Sequence, residues 1–281
     1  MADIQTFSYH THTNFSDGSC SLREMVRQAK KIGFTEMGVS DHLIVHKNMK
    51  KDDCWEYLKN MEISYVYNDD FKGVLDLFKR HCEEIRKVSK EENFKLYTGF
   101  EVDYFPYDGW EEEFKWFIAQ LDVDYLQTGN HFFCDESFEH TINMSFFKKI
   151  CTDKGLYREY MSRHFKTLQK AVESKLFTFL AHIDYVRSLG KEVYDEADFG
   201  AEKKQIIAAL EKTGTALELS TKGLRKVGDF YGGGEILREA AEKNIAVIIS
   251  DDAHRCEELG AGFEKAEEEL KKYGISKRLK F

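Results

Sequence analysis

A closed parallel α/β barrel is the fold class that this 281-residue sequence predicts, and three observations carry the prediction. Seven short apolar runs recur along the chain, each ending in a polar or charged tip and followed by a longer amphipathic stretch. The runs are rich in β-branched and aromatic residues, which suits strands buried on both faces. No Gly-rich nucleotide loop follows any of them, which favours a barrel over an open doubly wound sheet.

The seven runs are Phe7–His10, Glu36–Ser40, Leu96–Glu101, Asp124–Gly129, Phe177–Ala181, Ala216–Leu219 and Ala246–Ser250. Between the first two, Ser21-Leu22-Arg23-Glu24 is a capping box, and Leu22, Met25, Val26 and Ala29 follow at helical spacing. Leu75–Val88, Tyr157–Val172, Lys204–Leu210 and Glu235–Lys243 carry the same pattern. The long interval from Asp41 to Leu96 is expected to add helices near the barrel mouth. No linker, charge block or short-period repeat divides the sequence, so residues 1–281 read as one domain.

Composition narrows the function. Hydrophobic residues make up 42% and aromatics 14%, which supplies a core and excludes a disordered chain. Lys and Arg total 41 against 50 Asp and Glu, a net charge of −9 that argues against a general nucleic-acid binder. The longest apolar runs fall far short of the ~20 residues that span a bilayer. Met1-Ala2-Asp3-Ile4-Gln5 shows no basic stretch before an apolar core, so a cytoplasmic protein without a secretory signal is expected. Cys20, Cys54, Cys82, Cys134, Cys151 and Cys256 form no C-x-x-C pair, which removes thiolate zinc motifs and leaves buried free thiols as the expectation.

What terminates the runs is the decisive feature. They end in His10-Thr11-His12, Ser40-Asp41-His42, Gly99-Phe100-Glu101, Gly129-Asn130-His131, Ala181-His182-Ile183-Asp184 and Ser250-Asp251-Asp252-Ala253-His254. An α/β barrel places its active site at the C-terminal ends of its strands. One such histidine is most simply a hydrogen-bonded structural residue; six at one topological position read as a metal site. In His10-x-His12 the side chains at i and i+2 of an extended segment share a face and can reach one ion. Imidazole and carboxylate without thiolate suit Zn²⁺, Mn²⁺ or Fe²⁺ alike. Six histidines with Asp17, Glu101 and Asp252 exceed one tetrahedral ion, so two or three ions are expected, with Glu101 as a bridge. His46, His81, His140 and His164 fall in loops or helices and read as surface or packing residues.

The ordered set His10-Thr-His12-Thr-Asn-Phe-Ser-Asp17-Gly18, Ser40-Asp41-His42, Gly-x-Glu101, His131, His182 and Asp252-Ala-His254 resembles the motifs of the polymerase and histidinol phosphatase (PHP) superfamily. The resemblance covers essentially the whole chain. It implies a distorted (β/α)7 barrel, a trinuclear metal centre and phosphoesterase activity. It also implies one ion on His10, His12, Glu101 and His254, a second on Asp17, His42 and Asp252, and a third on Glu101, His131 and His182. Glu101, Asp17, Asp252 and His254 are then the residues expected to carry the reaction.

Two further segments resemble the histidinol-phosphate phosphatase branch: Glu218-Leu-Ser-Thr-Lys-Gly-Leu-Arg225-Lys226 and His182-Ile-Asp184-Tyr-Val-Arg187. That branch implies hydrolysis of L-histidinol phosphate to L-histidinol and phosphate in histidine biosynthesis, by a hydroxide held between metal ions attacking phosphorus. Against its usual pattern Ser220 replaces Asn, Ile183 and Val227 replace Pro, and Asp251 stands where Ser precedes Asp-Ala-His.

Arg187 and Arg225 follow the fifth and sixth runs on the rim that carries the ligands, where a guanidinium fork can hold two phosphate oxygens. Lys222 and Lys226 read as solvated, and Tyr231-Gly232-Gly233-Gly234 as a turn before a helix. Asp184 is a candidate proton donor to the leaving group. Asp103, Asp108 and Glu218 are candidates to meet a substrate ammonium, and Tyr104-Phe105-Pro106-Tyr107 to line the pocket or pack as a loop. The expected partner is a small phosphate ester, without nucleic acid or membrane; oligomeric state is not legible. The alternative is a phosphoesterase or nuclease of the same superfamily acting on another ester or a nucleic-acid end, which would share every ligand. TatD-like and amidohydrolase barrels also open with H-x-H but fit Ser40-Asp41-His42 and Asp252-Ala-His254 poorly. A degenerate regulatory metal module would have lost ligands, and all nine are present.

Overall fold

The computed structural model describes residues 4–61 and 64–281. Met1–Asp3, on which the reading of the N-terminus partly rests, lie outside the described residues. Every predicted run contains a strand of one nearly closed parallel barrel: β1 Phe7–Ser8, β2 Glu36–Val39, β3 Lys95–Val102, β4 Tyr125–Thr128, β5 Phe179–Leu180, β6 Ala216–Ser220 and β7 Val247–Ser250. They pair in sequence order, and a parallel bridge between Thr11 and Ala253 brings β7 back to β1. Past a break at Ser40-Asp41, His42–Val45 continues the line of β2 and pairs with β3, with His42 opposite Glu101.

The period-two alternation of strands sorts side chains into two environments. Along β6, Leu217 and Leu219 join clusters with helical residues outside the barrel, whereas Ala216 and Glu218 belong to its interior. Tyr9, Tyr125, Phe179 and Ile248 fill one end of that interior, with Tyr97 and the C-terminal Phe281 packed on them. The Tyr125 hydroxyl donates to the Tyr9 carbonyl at 2.5 Å across this plug. Two to four residues further along β3 and β6 the apolar filling gives way to Glu101 and Glu218, both fully buried. The barrel therefore has an aromatic floor and an ionisable top.

Helices cover the outside where the spacing predicts them: Leu22–Lys31, Leu75–Glu91, Lys154–Glu173, Gly200–Thr213 and Gly234–Glu242. The Ser21 capping box forms, the Ser21 hydroxyl accepting the Glu24 N–H while Glu24 accepts the Ser21 N–H. The interval after Asp41 holds less helix than expected. Among its described residues, apart from Leu75–Glu91, are the single turn Trp55–Leu58, two 3₁₀ turns and a strand Tyr67–Asn68 paired to the extension of β2. Tyr104 and Phe105 are buried in the aromatic cluster around Trp110, so that stretch packs as a loop.

One cysteine expectation is corrected. Cys20 and Cys256, 236 residues apart, form a disulfide, while Cys54, Cys82 and Cys134 are buried free thiols and Cys151 is half-buried. Barrel closure is the reason: the loops after β1 and β7 become neighbours, tied by the Ser19 N–H donating to the His254 carbonyl at 2.7 Å. No described helix is long and apolar enough to cross a membrane.

Candidate metal centre

All nine predicted ligands converge at the C-terminal ends of the strands. Glu101 is the hub: its Oε2 lies 3.3 Å from Nε2 of both His10 and His12 and 3.2 Å from Nδ1 of His42. Its Oε1 lies 2.7 Å from His182 Nε2 and 3.9 Å from His131 Nε2. Asp252 Oδ1 is 3.4, 3.3 and 3.4 Å from His10, His12 and His254. Asp17, on the more open side, lies 3.3 Å from His42 and 3.0 Å from His254.

Donor atoms within 4.8 Å of one another form four overlapping groups: His12–Asp17–His42–His254, His10–His182–Asp252, His10–His12–Glu101 and His42–Glu101–His131. This grouping sets His254 beside Asp17 and His42, and Asp252 beside His10, where the resemblance paired His254 with His10 and Asp252 with Asp17. The chain turn after β7 is the cause, since it carries Asp252 inward and His254 outward.

The donor set fits divalent ions by a test on its own atoms. His10 Nε2, His12 Nε2, His42 Nδ1, Glu101 Oε2 and both Asp252 oxygens are buried without a hydrogen-bond partner. Buried polar atoms are normally paired; five of these six face one another, and Asp252 Oδ2 faces the Lys222 ammonium as an ion pair. Their ionisation agrees. Burial opposes charge on His12, but the Asp252 and Glu101 carboxylates, each 3.3 Å from its Nε2, lift it to about 9. His10 and His42 also rise against burial, through Asp252 and Asp17 respectively. Burial likewise opposes charge on Glu101, Asp17 and Asp252, yet the surrounding histidines hold all three well below the carboxylate range. Protons favoured on His10, His12 and His42 thus balance charge that cations would otherwise balance.

Carboxylates behind the cluster orient it. Glu218 accepts from His10 Nδ1 at 2.6 Å and from the His182 backbone N–H at 2.6 Å. Asp103 takes the His131 and Phe132 N–H groups at 2.7 and 3.0 Å and lies 3.1 Å from His131 Nδ1. Both are candidates for a substrate ammonium by sequence; both are buried and paired with histidines of the cluster instead, and Asp108 is exposed. Such partners fix the tautomer and ring direction of a metal-binding histidine. Asp41 does the same for the loop from His12 to Asp17. It accepts from Thr13 N–H and hydroxyl at 2.8 Å each, Ser16 at 2.6 Å and His81 Nε2 at 2.9 Å. His81 is therefore more than a packing residue, whereas His46 and His164 are buried among aromatics and His140 is exposed.

Backbone geometry is bent to the same end. His182 and Asp252 have φ of 20° and 45°, a region L-residues rarely adopt. At Gly129 a Cβ would stand 2.8 Å from Glu101 Oε1 and closer still to the His182 ring, so only glycine fits.

The rim cations are differently disposed. Arg187 pairs with Asp229 at 3.1 Å, and its buried Nε–H has no partner. Arg225 donates to the Asp251 carbonyl at 2.8 Å and approaches Glu258 at 3.7 Å. Lys226 is exposed as expected, but Lys222 is not solvated: its side chain is 12% exposed and its ammonium lies 2.9 Å from Asp252 Oδ2. Burial opposes that charge, and Asp252 overrides it. Asp184 is buried and accepts the Gly232 N–H at 2.9 Å, ordering the turn before the helix Gly234–Glu242. Tyr185, which the sequence did not single out, sets its ring 5.1 and 5.4 Å from the rings of His182 and His131.

A barrel of this topology with clustered imidazoles and carboxylates at its mouth is a metallohydrolase scaffold. The chain belongs to the PHP domain family, which matches residues 8–222. It is 25% identical over 221 residues to a Deinococcus radiodurans protein named "Probable histidinol-phosphatase", covering 78% of this chain and 81% of that one. A Thermotoga maritima protein of the same name is 27% identical over 271 residues, covering 95% and 91%. The Bacillus subtilis DNA polymerase/3'-5' exonuclease PolX is 27% identical over 251 residues, 89% of this chain but 34% of that protein. Among solved structures, the histidinol phosphate phosphatase of Lactococcus lactis subsp. lactis, complexed with Zn, L-histidinol and phosphate, aligns with a TM-score of 0.68. It is 19% identical, covers 97% of this chain and 95% of its own, and bears out the barrel fold.

Proposed function

We propose that the chain is a metal-dependent phosphomonoesterase that hydrolyses L-histidinol phosphate to L-histidinol and inorganic phosphate. The observation that carries the proposal is the convergence of nine imidazole and carboxylate side chains, five of which (His10, His12, His42, Glu101 and Asp252) bury ligand atoms without a hydrogen-bond partner. Family membership and the names of the two full-length relatives support the choice of substrate.

The assigned metal ligands are His10, His12, Asp17, His42, Glu101, His131, His182, Asp252 and His254. Glu101, with each oxygen facing different histidines, is suited to bridge. Bound divalent ions at such a site supply Lewis acidity toward phosphoryl oxygens and activation of water. The chain's own contribution is positional. Glu218 and Asp103 aim His10 and His131, Asp41 fixes the Asp17 loop, and the aromatic floor closes the barrel below. Arg187 and Arg225 are assigned to outer phosphate contacts, each guanidinium having more donors than its present partners use. A cytoplasmic location and a small-molecule partner go with this reading, and the net charge of −9 opposes a nucleic-acid substrate.

The test is phosphate release from L-histidinol phosphate after reconstitution with Mn²⁺, Zn²⁺ or Fe²⁺, beside other phosphomonoesters and a labelled oligonucleotide. The expected result is a kcat/KM for histidinol phosphate far above the rest. Equal, slow turnover of every ester would overturn the substrate, and preferential cleavage of the oligonucleotide would favour the nuclease alternative.

A further inference from the structure

We propose that Lys222 is the residue that holds a phosphoryl oxygen of the substrate against the metal cluster. The inference deepens the phosphoesterase reading and rests on it, but not on which ester is the substrate. A phosphate dianion arriving at the barrel mouth needs cations besides the metals. Four basic side chains follow the fifth and sixth strands there; Lys226 is exposed, and the present partners of the other three separate them. Arg187 is paired with Asp229 and Arg225 with the Asp251 carbonyl and Glu258, none of which belongs to the cluster. Lys222 is the one lysine or arginine among the described residues that forms an ion pair with a carboxylate of the cluster.

Its surroundings explain why a lysine tolerates that depth. A buried ammonium is disfavoured unless a counter-charge is close, and Asp252 Oδ2 supplies one at 2.9 Å. Asp252 is also shared by His10, His12 and His254. Once divalent ions draw on the same carboxylate, its charge no longer serves Lys222 alone, and a bound oxyanion restores the balance. Among the described residues the ammonium, which carries three donors, has no aligned hydrogen-bond acceptor, its contact with Asp252 being an ion pair. The Tyr185 ring, 6.0 Å from the ammonium, also borders His131 and His182. Lys222 and those two histidines therefore flank one aromatic wall. An oxyanion lodged there would meet the ammonium on one side and the ligand cluster on another. A compact point charge on a flexible stem suits that contact.

The experiment compares metal-loaded wild type, Lys222→Met and Lys222→Arg by three readouts. These are the affinity for inorganic phosphate by calorimetry, kcat and KM for the best phosphomonoester, and bound metal per chain by elemental analysis. Loss of one charge-assisted contact to an oxyanion is expected to weaken phosphate binding about 10- to 100-fold in Lys222→Met, with KM rising in step. Metal content stays at the wild-type level, and Lys222→Arg recovers most of the phosphate affinity. Wild-type phosphate affinity in Lys222→Met overturns the assignment. So does a loss of bound metal large enough to account for the weaker binding. Failure of the histidinol phosphate reading shows separately, as a wild-type protein that binds phosphate and hydrolyses other esters, with the same response to these variants.

Discussion

Glu218 and His10 face each other inside the barrel at 2.6 Å, carboxylate to Nδ1, with Ser250 donating to the same oxygen. Both side chains are fully buried. The pairing holds the proton on Nδ1 and leaves Nε2 as the donor atom directed at Glu101 and Asp252. Through its second oxygen Glu218 also grips the backbone of His182. One buried carboxylate thus positions two histidines of the cluster.

Glu218→Gln is accordingly expected to damage metal binding more than folding. The amide keeps one acceptor oxygen where Glu218 offers two, so its NH2 must face either His10 and Ser250 or the His182 backbone N–H, and weakening such an orienting partner costs about 10- to 100-fold in metal affinity. Competition against a graded series of chelators measures this directly. Unchanged affinity would mean that His10 is held by the backbone alone.

Gly129→Ala tests steric closeness in place of charge. The added methyl would meet the His182 ring and Glu101 Oε1, so one of them must move. A displacement on the order of 1 Å at such a site lowers turnover about 100-fold. The expected outcome is that loss of kcat, with a near-native melting temperature because the strain falls on the open end of β4. A variant with normal turnover would show that the His182–Glu101 contact is dispensable.

These residues also mark how far the sequence could be read. The strands were legible because buried parallel strands are short apolar runs, and the ligands because they sit where those runs stop. Glu218 lies inside such a run, and a lone glutamate between Ala216-Leu217 and Leu219-Ser220 could have signalled a buried charge with a fixed partner. Its partner, 208 positions away, could not be inferred from spacing. Lys222 read as solvated because lysines usually are; only closure of the barrel brings Asp252 to it. The same closure joins Cys20 to Cys256 and sets His254 beside Asp17. What stayed hidden is contact between chain ends, which strand order fixes and local pattern does not.

His81 is expected to stabilise the loop that carries His12 and Asp17. Its ring stacks on Phe15 at 3.6 Å, and its Nε2 is one of the donors to the buried Asp41. Burial opposes charge on Asp41, and the hydrogen bond from His81 keeps it below the ordinary carboxylate value. His81→Phe preserves the stack and removes the donor, which should cost about 1–3 kcal/mol of stability. Denaturant unfolding of the metal-free protein measures the loss, and His81→Gln, which keeps an N–H, should restore part of it. A Phe variant as stable as wild type would leave Asp41 satisfied by Thr13 and Ser16 alone.

His164 gives the fold an acid limit of its own. It is buried on the helix Lys154–Glu173 against Phe133 and Phe165, and neither ring nitrogen has a hydrogen-bond partner. Burial, with help from His182 and His131, pushes it down to about 3 from an ordinary 6.5. Between those values the unfolded chain binds a proton that the folded one refuses, so stability falls as pH drops below 6.5 and is fully present above it. From this group alone the slope approaches about 1.4 kcal/mol per pH unit. His164→Phe removes the proton acceptor and fills the same aromatic site. Its unfolding free energy relative to wild type should therefore be constant above neutrality and rise steadily on acidification, as read from urea curves at a series of pH values. Curves that stay parallel down to pH 5 would show that the imidazole is protonated as easily in the folded protein as in the unfolded chain.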